Sequence, residues 1–389
     1  ASLASVLGDI TSSGLGALGI SWESCPSLTE VEEVTVDWMR QLVGLSDQWR
    51  GTIHDTASTA CLTALLAARE KAGKFCLQHG GLQALPDALV VYTTEEAHSS
   101  VEKSALLAGF GRDNLRMVQM DTNTRAMSPN ALALAIDDDL RLGRVPTAVV
   151  ASCGSTGVTA FDPIADIVNI AASHSIWVHV DAAMAGTAMM LPEYRHLWDG
   201  VEGADSISWN PHKWMGTILD TSLFFVRDPQ HLIRVMSTNP SYLQSNVDGE
   251  ATQYRDWGIP LGRRFRSLKL WFHLHLDGAE AIRDRLRRDL ENANWLAEQV
   301  TSNPDWELVS PLTLQTICVR HNPGNLDSAA LDQHTLEWVR QINDSGTAFM
   351  SPSQHNGEWI VRVSIGVEST QRKHVETLWQ LMQDTAGGH

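Results

Sequence analysis

Short apolar runs alternate with amphipathic runs along the middle of the chain. The apolar runs are nearly continuous, which is typical of buried strands in a parallel sheet, and they cover residues 87–94, 115–120, 146–153, 176–183 and 221–228. The segments between them have helical patterns, and several begin with polar residues that suit a helix N-terminus. This βαβα order predicts an α/β fold with a large, mostly parallel sheet and helices on both faces.

The two ends of the chain differ from the middle. Residues 1–50 have a helical pattern and include the amphipathic run LTEVEEVTVDWMRQLVGL. A helical stretch at about 265–301 precedes a mixture of helices and strands, among them LQTICVRH and EWIVRVSIG. We therefore predict an N-terminal helical segment (1–50), a large domain (51–301) and a small α+β C-terminal domain (302–389).

Composition narrows the possible partners and location. The chain of 389 residues has a formal net charge of −17, so nucleic acid and anionic membrane surfaces would repel it. It contains no apolar stretch of about 18 residues, and its N-terminus lacks the basic region of a signal peptide. Five cysteines without a CxxC pair favour reduced thiols over disulfides or a zinc site. We expect a cytoplasmic protein with no membrane, metal or nucleic-acid partner.

Three chemically capable side chains lie at or just after the ends of predicted strands, where ligands bind in open parallel sheets. Asp181 lies in the middle of the run HVDAA, Lys213 follows Asn-Pro-His in SISWNPHKWMGT, and His98 follows the strand at 87–94. Each alone has an ordinary explanation: a helix-capping Asp, a surface Lys beside a turn and a structural His. A buried Lys, however, has a lowered pKa and becomes a nucleophilic amine.

Taken together, these residues suit pyridoxal 5′-phosphate (PLP). That cofactor needs a Lys for its aldehyde, a carboxylate for its ring nitrogen and an aromatic ring against its face. It also needs a phosphate site, and the residues at 56–58 offer backbone N–H groups and a hydroxyl at the start of a predicted helix.

Four long runs resemble the aromatic L-amino-acid decarboxylases, the group II PLP-dependent decarboxylases. They lie at 54–69, 97–109, 179–217 and 254–272, and they follow the family's order. The resemblance implies the fold type I architecture of PLP-dependent transferases, PLP as cofactor and a homodimer. It also implies decarboxylation of an aromatic L-amino acid to the corresponding amine and CO2.

The resemblance implies a role for individual residues. Lys213 would carry the cofactor as a Schiff base, Asp181 would pair with the ring nitrogen, and His98 would stack on the ring. Further positions match cofactor-binding residues of the family, namely Ala57, Ser58, Thr156, Ser206, Asn210 and His212. Arg362 matches an Arg near the active site, although a structural salt bridge would also explain it.

Other matches concern the substrate pocket and the product. Tyr242 matches the Tyr of a mobile catalytic loop, and it favours simple decarboxylation because related aldehyde synthases have Phe there. Leu18 and Ile20 match residues that reach the neighbouring subunit's site, and Met184 replaces a common Tyr. The family has an N-terminal helical arm, and we expect 1–50 to be a truncated form of it.

Several alternatives stay open at this point. The substrate could instead be histidine, glutamate or diaminobutyrate, or the product could be an aldehyde. The chain could also be a catalytically silent PLP-binding homologue. A nicotinamide enzyme is disfavoured because no GxGxxG follows the first predicted strand.

Overall fold

The computed structural model describes residues 1–238 and 251–387 of the chain. Its larger sheet has seven strands in the order β1-β7-β6-β5-β4-β2-β3. Strands β2 to β6 pair in parallel, whereas β7 runs antiparallel to both β6 and β1. The seven strands are β1 (Arg50–His54), β2 (Leu89–Thr93), β3 (Leu115–Met117), β4 (Val145–Ser152), β5 (Trp177–Asp181), β6 (Ser206–Trp209) and β7 (Ser222–Val226).

Helices cover both faces of this sheet, because successive strand residues point to opposite sides. In β4, Val149 and Ala151 belong to one hydrophobic cluster and Ala148 and Val150 to the other. The helices of this part of the chain are α1 (Leu3–Leu15), α2 (Pro26–Leu42), α3 (Ala57–Ala72), α4 (Ser99–Leu107), α5 (Pro129–Arg141), α6 (Ile164–Ala172), α7 (Pro229–Met236) and α8 (Ser267–Leu276). The predicted α/β fold with a mostly parallel sheet is confirmed.

A long helix, α9 (Ala279–Thr301), joins the large sheet to the C-terminal part of the chain. Ile282 and Leu286 near its start pack in the core of the large sheet, whereas Leu296 and Val300 near its end pack against the smaller sheet. The helix therefore contributes to two hydrophobic cores. The division of the chain at residues 50 and 301 stays a prediction.

The smaller sheet is antiparallel, with the order β10-β11-β9-β8. Its elements are β8 (Trp306–Leu308), β9 (Thr316–His321), α10 (Ser328–Asp344), β10 (Ser351–His355), β11 (Glu358–Ser364) and α11 (Arg372–Ala386). Buried residues of both helices pack with the sheet's apolar residues in one cluster. None of the described helices combines the length and apolar character needed to cross a membrane.

Candidate active site

A cavity of about 530 Å³ lies where the carboxyl ends of β4 and β5 meet the starts of α3 and α4 and one side of the smaller sheet. It brings together nine of the residues singled out in the sequence: Ala57, Ser58, His98, Thr156, Asp181, Asn210, His212, Lys213 and Arg362. These residues come from six separate parts of the chain. The position agrees with the rule that ligands of parallel sheets bind beyond the strand ends.

Asp181 is the last residue of β5 and lines the cavity. Its Oδ1 atom accepts hydrogen bonds from the Ala183 N–H at 3.0 Å and from the Ser208 hydroxyl at 3.4 Å. Within the described ranges, no Lys, Arg or His forms an ion pair with this carboxylate. A half-buried carboxylate without a cationic partner is suited to pair with a positively charged ligand atom.

Lys213 lies in the turn that follows β6. The turn is closed by hydrogen bonds from the Lys213 N–H to the Asn210 carbonyl and from the Gly216 N–H to the Lys213 carbonyl, both 3.0 Å. The side chain extends into the cavity, but the surrounding protein still removes much of its hydration. This desolvation lowers the pKa of Lys213, as does the charge of Arg362, whereas Asp181 acts in the opposite direction. The amine is thus more readily deprotonated than that of a surface lysine.

His98 is the N-cap residue of α4, and its ring is accessible from the cavity. Its Nδ1 atom accepts from the Ser100 N–H at 3.2 Å and lies 2.7 Å from the Ser100 hydroxyl. Because Nδ1 is an acceptor, the neutral ring carries its proton on Nε2. This atom is left as a hydrogen-bond donor for a ligand.

Arg362 lies on β11, in the part of the cavity wall that the smaller sheet contributes. Burial lowers the pKa of this guanidinium. Its Nε atom is buried without a hydrogen-bond partner, and no carboxylate in the described ranges forms an ion pair with it. The structural salt bridge considered as an alternative is therefore not formed among these residues. The unpaired cation faces the same cavity as Lys213.

Ser206 is the exception among the predicted cofactor-binding residues, since it does not line the cavity. Its hydroxyl accepts a hydrogen bond from Trp177 Nε1 at 2.8 Å and lies 2.9 Å from His179 Nδ1. The strand register explains this position: Ser206 pairs with His179, and Ser208 is the residue beside Asp181. Ser206 is thus two residues too early on β6 to reach the cavity.

Two other predicted residues, both among those that the structure describes, are also absent from the cavity wall. Leu18 and Ile20 lie between α1 and α2, and neither lines the cavity of its own chain. Tyr242 lies outside the described residues.

Several residues of the wall were not singled out in the sequence. They are Ser100, Ser152, Gly154, Ser155, Ala183, Trp214, Gln315, Ser364, Gly366 and Val367. Ser364 and Gly366 could have been predicted from the sequence, because they follow Arg362 at steps of two residues and alternate strand residues share a face. Gln315 carried no comparable signal.

The observed groups fit PLP. The Oδ1 atom of Asn210 is buried without a hydrogen-bond partner, which is consistent with a polar ligand beside it. Helix α3 begins at the cavity, and the side chain of its N-cap residue Thr56 makes no capping hydrogen bond. The first-turn N–H groups of that helix can therefore bind an anion such as a phosphate.

Comparison with known proteins decides the family. The model of the pyridoxal-dependent decarboxylase conserved domain matches residues 1–322. The chain belongs to this family. It is an enzyme of the PLP-dependent carboxy-lyase class with PLP as its cofactor, as the motifs predicted, and the nicotinamide alternative is thereby excluded.

The relatives cover almost the whole chain. It is 39% identical to phenylacetaldehyde synthase from Arabidopsis thaliana over 99% of this chain and 79% of the relative. It is 36% identical to tryptophan decarboxylase 2 from Oryza sativa subsp. japonica, over 99% and 78%. The crystal structure of Oryza sativa TDC with PLP and tryptamine superposes with a TM-score of 0.94 at 33% identity, over 99% of this chain and 81% of that one. The fold type I prediction is confirmed.

Proposed function

We propose that this decarboxylase converts an aromatic L-amino acid to the corresponding amine and CO2. One observation carries the proposal: Lys213, Asp181, His98 and Arg362, which has no ion pair among the described residues, face a single cavity. The relatives support the aromatic class, since those named above act on tryptophan or form phenylacetaldehyde. Bound PLP would supply the positively charged ring that withdraws negative charge from the substrate's α-carbon.

Two residues would control protons at the cofactor. Asp181 would hold the proton on the ring nitrogen, because an opposite charge in a water-poor site favours the protonated form. Lys213, whose pKa burial lowers, would hold the cofactor covalently through its amine. The protein thereby keeps the ring cationic and in place before the substrate arrives.

A second set of residues would bind the phosphate and contact the face of the ring. Ala57 and Ser58 lie in the first turn of α3, where free N–H groups favour an anion. The Nδ1 atom of His212 accepts from the Thr221 N–H at 3.0 Å, so its Nε2 would carry the proton and donate. Asn210 would complete the phosphate site, and Thr156 and His98 would position the ring.

Arg362 would bind the substrate's α-carboxylate. Its guanidinium has no ion pair among the described residues, and a carboxylate is the partner that its geometry suits best. Holding the carboxylate would orient the bond to the α-carbon perpendicular to the ring, so that this bond breaks rather than the C–H bond.

The main alternative concerns the product that forms after CO2 leaves, which is either the amine or the aldehyde. Tyr242, or His98 through Nε2, would return a proton to the α-carbon and give the amine. Aldehyde formation is the second candidate, and the 39% identity to phenylacetaldehyde synthase favours it. Tyr242 favours the amine, since the aldehyde-forming relatives typically have Phe at the matching position.

A second copy of the chain would cover an exposed apolar face on α1. Leu3, Leu7 and Ile10 share one side of this helix and are 79%, 53% and 64% exposed. Such a row on a soluble protein is typical of an interface. Changing Leu7 and Ile10 together to Glu should convert a dimer to a monomer in light scattering, whereas the exposed control Thr11→Glu should not. A wild-type protein with the mass of a monomer would contradict the homodimer.

The decisive experiment combines absorbance with CO2 release. The purified protein with PLP should show a Schiff-base band that borohydride removes, and it should release CO2 from at least one of tryptophan, tyrosine, phenylalanine and DOPA. Lys213→Ala should abolish both signals, whereas the surface control Lys103→Ala should keep them. A band without CO2 from any of the four acids would refute the aromatic substrate class, and substantial turnover by Lys213→Ala would refute the role of that lysine.

A further inference from the structure

Gln315 is a buried amide in the wall of the active-site cavity. It immediately precedes β9, and its side chain is almost fully buried, at 2% exposed. Its backbone carbonyl accepts a hydrogen bond from the Ile365 N–H at 3.1 Å, which extends the ladder between β9 and β11 by one step. The backbone at this position is therefore held by the sheet.

The side-chain oxygen of Gln315 has no hydrogen-bond partner among the described residues. Buried polar atoms are nearly always satisfied in native proteins, because an unpaired acceptor costs free energy. Since this oxygen belongs to a residue of the cavity wall, a ligand that brings a hydrogen-bond donor would remove that cost.

Met184 determines which end of the amide is free. The Nε2 atom of Gln315 donates to the Met184 sulfur, 3.3 Å away, and Met184 also lines the cavity. A thioether sulfur accepts hydrogen bonds but has no proton to donate. The pair therefore orients the amide nitrogen toward the sulfur and leaves the oxygen as the available acceptor.

The strand register gives the separation between Gln315 and Arg362 along the smaller sheet. Arg362 lies opposite Cys318, whereas Gln315 bonds to Ile365, which is three residues after Arg362 and one residue past the end of β11. At the usual rise per residue, three residues correspond to about 10 Å along the strand. Both residues line the same cavity, so a ligand bound there can lie between them.

We propose that Gln315, oriented by Met184, accepts a hydrogen bond from an N–H or O–H group on the substrate's ring. The enzyme would then select rings that carry such a donor over rings that lack one. This inference rests on the proposed function, since it specifies which aromatic amino acids the same site takes. A site built around a buried acceptor discriminates strongly, because an analogue without the donor leaves that acceptor unpaired.

The first test uses the wild-type holoenzyme and two pairs of substrates. L-Tyrosine carries a ring hydroxyl that L-phenylalanine lacks, and 1-methyl-L-tryptophan has an N–CH3 group in place of the indole N–H of L-tryptophan. In at least one pair, kcat/KM for CO2 release should favour the donor-bearing acid by about tenfold or more. CO2 release is the suitable signal because both the amine and the aldehyde route produce it.

The second test changes the acceptor. Gln315→Met keeps the length of the side chain and removes its oxygen, so the preference within the pair should fall to within about threefold. The control Gln354→Met, on an exposed position of β10, should keep the wild-type preference. A purely structural role for Gln315 would lower kcat/KM for both members of a pair equally and leave their ratio unchanged.

The outcomes separate this inference from the proposed function. CO2 release from aromatic acids without a preference in either pair, or with a preference that Gln315→Met leaves intact, would overturn the role of Gln315 alone. A cofactor band with no CO2 from tryptophan, tyrosine, phenylalanine or DOPA would overturn the proposed function and this inference together.

Discussion

The backbone N–H of Ala183 donates a hydrogen bond to the Oδ1 atom of Asp181 at 3.0 Å. This bond fixes the carboxylate at the end of β5, where the cavity begins. An Asn side chain has an acceptor oxygen of the same geometry, so Asp181→Asn can keep the bond while it removes the charge.

We predict that Asp181→Asn lowers kcat/KM by at least about 100-fold, because the charge that favours a protonated ring nitrogen is lost. The absorbance of the bound cofactor should change at the same time, whereas the thermal stability of the cofactor-free protein should change little. Asp205→Asn, immediately before β6 and outside the cavity, should keep the wild-type cofactor spectrum. Near wild-type kcat/KM in Asp181→Asn would contradict the proposed role of this carboxylate.

Ser206 and Ser58 should respond differently to the same substitution. Ser206→Ala removes the hydroxyl that Trp177 and His179 contact, so it should lower the free energy of unfolding by about 1–3 kcal/mol. It should leave the Kd for PLP unchanged. Ser58→Ala should instead raise that Kd by about tenfold or more, since the hydroxyl lies in the first turn of α3, where we propose that the phosphate binds. Titration with the cofactor and denaturant unfolding of both variants check these two predictions. A higher Kd for PLP in Ser206→Ala would show that Ser206 does contribute to cofactor binding.

The strands that could be predicted from the sequence are those with unbroken apolar runs. Each of the five predicted runs contains a strand, but β1 and β6 went unrecognised because buried polar residues interrupt them. In β1, Thr52 forms a hydrogen bond with Glu32, and His54 forms one with the Trp257 carbonyl. A local sequence pattern does not predict partners so distant in the chain. The same limit applied to Gln315, which has no neighbouring motif.

Family motifs located most of the cavity, but they could not show which matched positions face it. The register of β6 with β5 excludes Ser206 and places Ser208 beside Asp181. Pairing between strands is a property of the folded sheet, and a motif read along the chain does not contain it.

Arg362→Met should raise KM for the amino acid by about tenfold or more while the cofactor spectrum stays that of the wild type, because the lost charge would bind the substrate rather than PLP. Arg320→Met is the matched control. Arg320 lies on the neighbouring strand and pairs with Glu307 and Glu358, so its loss should affect stability and not KM. Steady-state kinetics and absorbance distinguish the two, and an unchanged KM in Arg362→Met would refute carboxylate binding there.

Tyr242→Phe should shift the products from the amine toward the aldehyde. The substitution removes the hydroxyl that would return the proton to the α-carbon, and the packing surface of the ring is kept. Chromatographic quantification of both products from one substrate, with Tyr194→Phe as a control distant in the sequence, checks this. Unchanged amine output would show that another group, such as His98, supplies the proton.

Asp162 gives the last prediction, which concerns pH. Its two carboxylate oxygens accept from the Met127 and Ser152 N–H groups, both at 2.7 Å, and the latter bond holds the end of β4 at the cavity. Burial raises the pKa of Asp162 to about 6, and the nearby charge of Glu96 acts in the same direction. The native protein thus binds a proton there that the unfolded chain, with a pKa near 3.8, releases. This contribution to stability is fully present below about pH 4 and is lost as the pH rises through about 6.

Comparison with Asp162→Asn, which does not titrate, isolates the effect from those of other acids. The free energy of unfolding of the wild type minus that of the variant should fall by up to about 3 kcal/mol between pH 4 and pH 7. Denaturant titrations at several pH values measure this difference. If it stays constant or grows with pH, Asp162 is ionised throughout the range in the native protein, and the hydrogen bonds from Met127 and Ser152 outweigh the cost of its burial.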